Sequence, residues 1–386
     1  YHSEGADISI IEANRGLYDG LDEEGSCSSA SLAKLTGTPV VLVLDCTKAT
    51  RTMAAVVKGL VGFDTQVDIK AVVLNNVAGP RHEGLLRRTI ERYTDVKVIG
   101  AVERKKRAPI LMRHLGLTPA EEHRAAERTV KDTAKTIERS IDIEKFLEIA
   151  KGAETITVPE GDLYEGVRAL RAKAQGLRVV VLKDEAFQFY YPENIEALRV
   201  AGMEVIEVEA TRQKGLPPCE VVYIGGGFPE TNALALSKNE LFRRDFLRAV
   251  QRGTGVYAEC GGLMFLGEMI KFRGRQYPMT GVLPISFQMK QRPVAHGYAM
   301  AKAETRSAFY REGTVLRGHE FHYSKPVITG KGDFALTLKM QKGRGITDGW
   351  DGIVRGRVFG GYIHLHALGS PEWIETLVRV AEGRTG

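Results

Sequence analysis

The sequence contains few cysteines and no long apolar run. Its 386 residues include four cysteines, Cys27, Cys46, Cys219 and Cys260, and no Cys-x-x-Cys pair. This pattern indicates neither a zinc site nor a disulfide framework, so we expect a reducing, cytoplasmic setting. No stretch approaches the roughly 20 apolar residues that span a bilayer, so no membrane association is expected.

The sequence also lacks a phosphate-binding loop of the form G-x-x-x-x-G-K-[ST] and a concentrated block of one charge. Its formal net charge is +6, but the basic residues are dispersed apart from the run RKKR at 104–107. No nucleic-acid-binding motif accompanies them, so nucleic acid is not an expected partner. A modest positive excess suits small polyanions such as ATP or a polycarboxylate.

Alternating strand and helix patterns fill most of the chain. Residues 7–12, 38–45, 68–76 and 95–103 read as buried strands, and a second series runs from 177–187 to 361–369. Such alternation predicts parallel sheets covered by helices on both faces. We therefore predict an α/β protein with domains at 1–150 and 177–386, joined by a linker at 151–176.

Polar residues follow three of the predicted strands of the first domain. These residues are Glu12, Asp45 and Asn75. Open parallel sheets bind ligands outside the carboxyl ends of their strands, which favours a site at this edge. A polar residue can also simply mark the end of a strand, and that interpretation stays open.

The stretch YAECGGLMFLG at 257–267 has two interpretations. A lone cysteine is most often a small buried hydrophobe. However, a strand, a cysteine, glycines and then a helix are typical of a nucleophile elbow, in which the helix N-terminus favours the thiolate. A base could come from His364 or His366, and oxyanion donors from the backbone N–H groups of Gly227 and Gly261.

Four segments of the second domain resemble one known family. IGGGFPE, YAECGGLMFLG, RGHEFHYS and GYIHLH, in this order and spacing, are similar to the class I glutamine amidotransferase domain of the cobyrinic acid a,c-diamide synthases. The resemblance implies a flavodoxin-like fold, Cys260 as nucleophile and His364 as its partner. His366 stands where the wider class has an acid, which leaves open what orients His364.

Three segments of the first domain resemble the same family. IEANRGLYDG at 11–20, VVLNNVAGPRHEGLLR at 72–87 and RHLGLTPAEE at 113–122 are similar to its synthetase motifs, although Ala13 replaces the usual glycine. The resemblance implies a P-loop domain like dethiobiotin synthetase, with ATP and Mg²⁺ as cofactors. Because the P-loop motif is absent, we expect this domain to be N-terminally incomplete.

The resemblance also assigns residues of the first domain to roles. The ATP, Mg²⁺ and acyl-phosphate site would include Glu12, Asp19, Asp45 and Asn75, with Glu12 as a ligand of Mg²⁺. The substrate-binding residues would be Tyr18, Arg113 and His114.

The function implied by the resemblance is amidation of the a and c acetate carboxylates of cobyrinic acid in cobalamin biosynthesis. ATP would form an acyl phosphate and glutamine would supply channelled ammonia, so the expected partners are ATP, glutamine and a corrin polycarboxylate. A homodimer is compatible with this function. Nickel-sirohydrochlorin and hydrogenobyrinic acid are alternative substrates. A non-catalytic corrinoid- or glutamine-binding relic is an alternative of another class, suggested by the missing P-loop.

Overall fold

The computed structural model describes residues 5–13, 15–105, 112–113, 116–117, 126–156, 161–330 and 332–383. The chain divides into two units, Tyr1–Pro159 and Glu160–Gly386. Each unit has its own sheets and its own buried apolar clusters.

The first unit is built on a parallel sheet with strand order β1-β2-β3. A two-stranded antiparallel pair, β4-β5, accompanies it. Its elements are α1 (Ser29–Thr36), β1 (Val40–Asp45), α2 (Thr52–Phe63), β2 (Ile69–Val77), α3 (Pro80–Tyr93), β3 (Lys97–Glu103), β4 (Met112–Arg113), β5 (Gly116–Leu117), α4 (Ala126–Ser140) and α5 (Ile143–Lys151).

The central strand β2 holds this sheet inside the unit. Its run from Ala71 to Leu74 is buried, and alternate residues contribute to two different apolar clusters. A parallel strand with both faces covered is expected to be apolar at every position. The strands predicted at 38–45, 68–76 and 95–103 are thus confirmed.

The strand predicted at 7–12 is wrong. Residues 8–13 have no regular structure, and Ile10 and Ile11 are 74% and 51% exposed. An extended segment becomes a strand only when its backbone hydrogen-bonds to a neighbour. Within the described part of the chain this segment pairs with none.

The second unit contains a larger set of elements. They are α6 (Glu165–Arg168), α7 (Arg171–Ala174), β6 (Arg178–Leu182), β7 (Phe187–Phe189), α8 (Pro192–Val200), β8 (Glu204–Val208), β9 (Val221–Ile224), β10 (Gly226–Gly227), α9 (Ala233–Lys238), α10 (Glu240–Gln251), β11 (Gly255–Glu259), α11 (Gly261–Leu266), β12 (Met269–Phe272), β13 (Arg275–Pro278), β14 (Ile285–Met289), β15 (Ala295–Ala303), β16 (Val315–His322), β17 (Ser324–Ile328), β18 (Ala335–Lys342), β19 (Trp350–Arg355), β20 (Val358–Gly361), β21 (His364–Leu365) and α12 (Glu372–Ala381).

A ten-stranded sheet with order β21-β16-β15-β18-β19-β20-β11-β9-β6-β8 dominates the second unit. The pairs from β20 to β8 are parallel, whereas the pairs from β21 to β20 are antiparallel. A four-stranded sheet, β13-β12-β14-β17, and a two-stranded sheet, β10-β7, complete the unit.

The antiparallel half corrects the expectation of a purely parallel sheet. Only Gly356 and Arg357 separate β19 from β20, and so short a connection can join only antiparallel strands. Strand β15 alternates buried alanines with more exposed residues such as Tyr298. That period of two is typical of a strand with one solvated face.

Aromatic side chains cover both faces of the parallel half. On one face Tyr257 stacks on Phe359, with ring centroids 4.7 Å apart and planes at 14°, and Trp373 of α12 packs at its edge. On the other face Phe265 contacts Phe187 and Phe246 at 5.4 and 5.7 Å. These buried rings fix α11 and α12 against the sheet.

The helices of the described residues were compared with the length and apolar character of a membrane span. None of their helices combines the length and apolar character needed to cross a bilayer.

The stability of the second unit should depend strongly on Phe265, which is fully buried. We expect Phe265→Ala to lower the free energy of unfolding by about 3–5 kcal/mol, because it removes a ring and leaves a cavity. Both tryptophans of the chain, Trp350 and Trp373, lie in this unit, so tryptophan fluorescence during denaturation reports on it. The control is Leu234→Ala, at a side chain that is 50% exposed; an equal loss in both variants would contradict the prediction.

Candidate active site

Cys260 lies at a sharp turn between a buried strand and a short helix. Strand β11 ends at Glu259, Cys260 adopts φ 48° and ψ −96°, and α11 begins at Gly261. A positive φ is unusual for a residue with a side chain, and such a conformation persists only where its surroundings hold it. Here the Cys260 N–H donates to the Gly361 carbonyl at 2.7 Å. The turn has the geometry predicted for a nucleophile elbow.

Glycines allow the turn to pack against the segment 224–227. A Cβ on Gly262 would lie 2.5 Å from the Ile224 carbonyl oxygen, and one on Gly261 would lie 2.9 Å from the backbone nitrogen of Gly227. Any larger residue at these positions would force the two segments apart. The close approach makes Gly261 and Gly227, the two predicted oxyanion donors, neighbours beside Cys260.

His364 contacts both Cys260 and an acid that the sequence did not reveal. Its Nδ1 lies 3.6 Å from Glu259 Oε2, and the neighbouring Cys260 side chain also favours its charged form and raises its pKa. His364 and Glu259 are only 6% and 2% exposed. The three side chains therefore form a buried cysteine–histidine–carboxylate arrangement.

The environment of His364 strongly favours its charged form. Burial alone would lower the pKa of His364, but its interactions with Cys260 and Glu259 outweigh burial and raise the pKa to about 10. Burial in turn raises the pKa of Glu259, and His364 opposes that rise. An imidazolium is consequently held beside the thiol at neutral pH.

Two further groups hold His364 in place. A Cβ on Gly226 would lie 2.4 Å from His364 Cε1, so the glycine loop packs directly on the imidazole. The fully buried carboxylate of Asp351 accepts from the N–H groups of Tyr362 and Ile363 at 3.0 and 3.3 Å. These contacts fix the backbone that leads into His364. Burial raises the pKa of Asp351 to about 6.

His319 stacks on the ring of His364. The two rings lie 4.9 Å apart at an angle of 13°, and the Tyr191 hydroxyl lies 3.2 Å from His319 Nδ1. Burial, with the nearby His364 as a second cause, lowers the pKa of His319 to about 4. At neutral pH, His319 is therefore neutral and His364 is charged.

His366 has a different set of partners. Its Nε2 lies 3.5 Å from Glu193 Oε2, its Nδ1 accepts from the Leu368 N–H at 3.2 Å, and its ring packs on Tyr191 at 4.7 Å. A catalytic role for His366 stays a prediction.

Glu259 was not predicted from the sequence, because the acid was sought after the histidine. The feature that could have revealed it is an acid at the end of the apolar strand GVYAE, immediately before Cys260.

In the first unit, two predicted site residues meet at the edge of the sheet. Asp45 ends β1 directly opposite Asn75 of β2. Asp45 Oδ1 accepts from the Thr47 N–H and hydroxyl at 2.8 and 2.6 Å, and these hydrogen bonds lower the pKa of Asp45. A carboxylate and an amide thus share the edge where open parallel sheets bind ligands.

The remaining predicted residues of this unit are less closely grouped. Glu12 lies in the irregular segment, and Asp19 is exposed in a turn closed by its N–H and the Gly16 carbonyl. The Tyr18 hydroxyl donates to the Leu60 carbonyl at 2.6 Å. His114 lies outside the described residues, and Arg113 is described only by its backbone in β4.

The described His, Cys, Asp and Glu side chains form no group of three that could hold a metal ion. Glu12 as a ligand of Mg²⁺ therefore stays a prediction from the motif.

Comparison with known proteins gives matches in both units. A family model for the CobB/CobQ-like glutamine amidotransferase domain matches residues 178–372, and an AAA domain model matches residues 2–108. Together with the buried arrangement around Cys260, these matches define the protein as a glutamine amidotransferase, an enzyme of the glutamine-dependent ligase class.

Curated relatives match nearly the whole length of the chain. Proteins named cobyrinate a,c-diamide synthase from Magnetococcus marinus and Archaeoglobus fulgidus are each 38% identical to it, over 98% of this chain and 81% of the relative. One from Listeria innocua is 36% identical, over 96% of this chain and 80% of the relative. The chain belongs to the cobyrinate a,c-diamide synthase family.

The charge on His364 can be tested through Glu259→Gln. We expect the pKa of His364 to fall from about 10, because the amide removes the carboxylate charge. A raised histidine pKa contributes stability that is complete below 6.5, its ordinary value, and is lost as the pH rises through about 10. The variant should therefore lose less stability than the parent across this interval.

Histidine NMR titration and fluorescence-monitored unfolding measure the two effects. The control is Glu193→Gln, because Glu193 contacts His366 rather than His364. An unchanged His364 pKa in Glu259→Gln would show that the carboxylate does not stabilise the imidazolium.

Proposed function

We propose that the protein amidates the a and c acetate carboxylates of cobyrinic acid, with glutamine as the nitrogen source and ATP as the activating substrate. The names of the relatives support this acceptor, and the match to a glutamine amidotransferase domain supports the nitrogen source. The observation on which the proposal chiefly rests is the buried contact of His364 with Cys260 and Glu259.

In the second unit, the Cys260 thiolate attacks the side-chain carbonyl carbon of glutamine. The backbone N–H groups of Gly227 and Gly261 stabilise the oxyanion that forms. The C–N bond then breaks, and the leaving ammonia takes a proton from the His364 imidazolium. The product is a glutamyl thioester on Cys260.

Water completes the glutaminase reaction. Neutral His364 removes a proton from water as it attacks the thioester, which releases glutamate and regenerates the thiolate–imidazolium pair. Glu259 keeps the imidazole oriented through its Nδ1 and stabilises its charge. Glu259 is thereby a positioning residue, since its contact is with His364.

In the first unit, ATP phosphorylates an acetate carboxylate of the acceptor. Ammonia then attacks the acyl phosphate, the C–O bond to phosphate breaks, and the amide forms. The AAA domain match supports use of ATP, and the meeting of Asp45 with Asn75 at the sheet edge supports a ligand site there. Glu12 and Asp19 are assigned to this site by their motif.

Removal of the nucleophile should separate the two half-reactions. We expect Cys260→Ala to lower glutamine hydrolysis by roughly 10⁴-fold or more and to abolish glutamine-dependent amidation, whereas amidation with ammonium salt should persist. The control is Cys27→Ala, at an exposed thiol.

Mass spectrometry of the products identifies the acceptor, with cobyrinic acid, hydrogenobyrinic acid and nickel-sirohydrochlorin offered in parallel. Undiminished glutamine hydrolysis in Cys260→Ala would refute the nucleophile. Diamide formation from one of the other two acceptors, and not from cobyrinic acid, would refute the substrate assignment.

The close packing of Gly226 on His364 gives a second test. Gly226→Ala would insert a methyl group where His364 Cε1 now lies at 2.4 Å from the Cβ position, so the imidazole must shift. A displacement of this size is expected to lower glutamine hydrolysis by about 10²-fold. The matched control is Gly166→Ala, where an added Cβ meets no atom within 4 Å. Equal rates in the two variants would contradict the packing argument.

A further inference from the structure

A concave site lies in the unit Glu160–Gly386, and its lining residues do not include Cys260, His364 or Glu259. The cleft has a volume of about 530 Å³, within the size range of small-molecule sites. Three stretches of chain line it, namely residues 290 and 292–294, residues 325–326 and residues 344–349. None of these residues belongs to the proposed glutaminase machinery.

The cleft is strongly basic. Lys290, Arg292, Lys325 and Arg344 line it, against a single acid, Asp348. All four cations are exposed, and among the described residues no ion pair engages them. Uncompensated like charges around one concavity repel one another, and a bound anion would relieve that repulsion.

The wall at 344–349 is fixed from below by a buried carboxylate. Glu320, 2% exposed, accepts from the backbone N–H groups of Arg344 and Gly345, the latter at 3.1 Å. Gly345 has φ 67°, and a Cβ there would lie 2.5 Å from the Trp350 carbonyl oxygen. The backbone that presents Arg344 is therefore held in one conformation.

The other two walls are hydrogen-bonded to, or formed by, the residues that directly follow Glu320 in the chain. The Lys290 N–H donates to the Tyr323 carbonyl and the Val294 N–H to the His322 carbonyl, each at 2.9 Å. Lys325 pairs with Gln288 in the four-stranded sheet. Residues 320–325 thus hold the backbone of all three segments that carry the cations. A site whose backbone is already fixed loses less conformational entropy when a ligand binds.

Strand β16, which carries Glu320, also borders the active site. Its residue His319 stacks on His364, and its Phe321 carbonyl accepts a hydrogen bond from Cys260 Sγ at 3.8 Å. Strand β16 thus supports the cleft wall through Glu320 and contacts the active site through the flanking residues His319 and Phe321.

We propose that this cleft binds a small polyanion with clustered carboxylate or phosphate oxygens. The arginine guanidinium groups suit bidentate contacts with either anion, and the lysines add charge. The proposal does not depend on the proposed function, because it uses neither Cys260 nor His364.

The test is isothermal titration calorimetry of the full chain with two probes, citrate for carboxylates and inorganic tripolyphosphate for phosphates. The cleft variant is the pair Arg292→Gln and Lys325→Gln. The matched control is the pair Lys271→Gln and Arg275→Gln, which removes the same charge from exposed positions of β12 and β13 outside the cleft.

We expect at least one probe to bind the parent and the control variant with equal affinity, and to bind the cleft variant at least tenfold more weakly. The probe that shows this loss identifies the carboxylate or the phosphate as the recognised group. Failure of both probes to bind the parent overturns the proposal. So does an equal loss of affinity in the cleft and control variants, which would reflect net charge alone.

A third variant, Arg344→Gln, tests the wall held by Glu320 and should weaken binding of the same probe. Tryptophan fluorescence verifies that each variant retains the fold, since Trp350 directly follows the 344–349 wall. Unchanged affinity in Arg344→Gln together with unchanged affinity in the cleft variant would place any binding elsewhere on the protein.

Discussion

The candidate active site depends on a carboxylate and an imidazole that are both withdrawn from water. Glu259 and His364 each lose hydration on burial, and each recovers part of that loss through the other. Cys260 also stabilises the charge of His364, and the Tyr223 hydroxyl donates to Glu259 at 3.3 Å. A buried charge without a partner is costly, so the pair is stable only while the two side chains stay in contact. The glycines around Cys260, the Gly226 contact and the Asp351 carboxylate all help to keep them in contact.

Most of the candidate site could be predicted from local sequence, and the exception has a physical cause. The elbow at Cys260 follows from a strand, two glycines and a helix, which are all adjacent in the chain. The acid at His364 does not follow from spacing, because the structure supplies it from the end of β11, 105 positions earlier in the numbering than His364. His366, the expected substitute, pairs with Glu193 of α8, a contact that no periodicity encodes.

The fold was predictable where burial alone decides the structure. Runs such as those of β2 and β6 are apolar at nearly every position because both faces are covered. The antiparallel half required pairing information as well, since its half-buried strands could match several neighbours. The segment 8–13 shows the converse, because an apolar composition does not make a strand where the described chain offers no pairing partner.

The order of the large sheet has a consequence for how the site assembles. Between β20 and β21 lie β19, β18, β15 and β16, so five spacings of about 4.8 Å would place them roughly 24 Å apart in a flat sheet. Yet only Tyr362 and Ile363 separate Gly361 from His364, and three residue steps reach at most about 11 Å. The antiparallel half must therefore curl back on itself, and the thiol and the imidazole meet across that closure. A defect in β16 would consequently shift the imidazole relative to the thiol, because β16 pairs with β21 at His364.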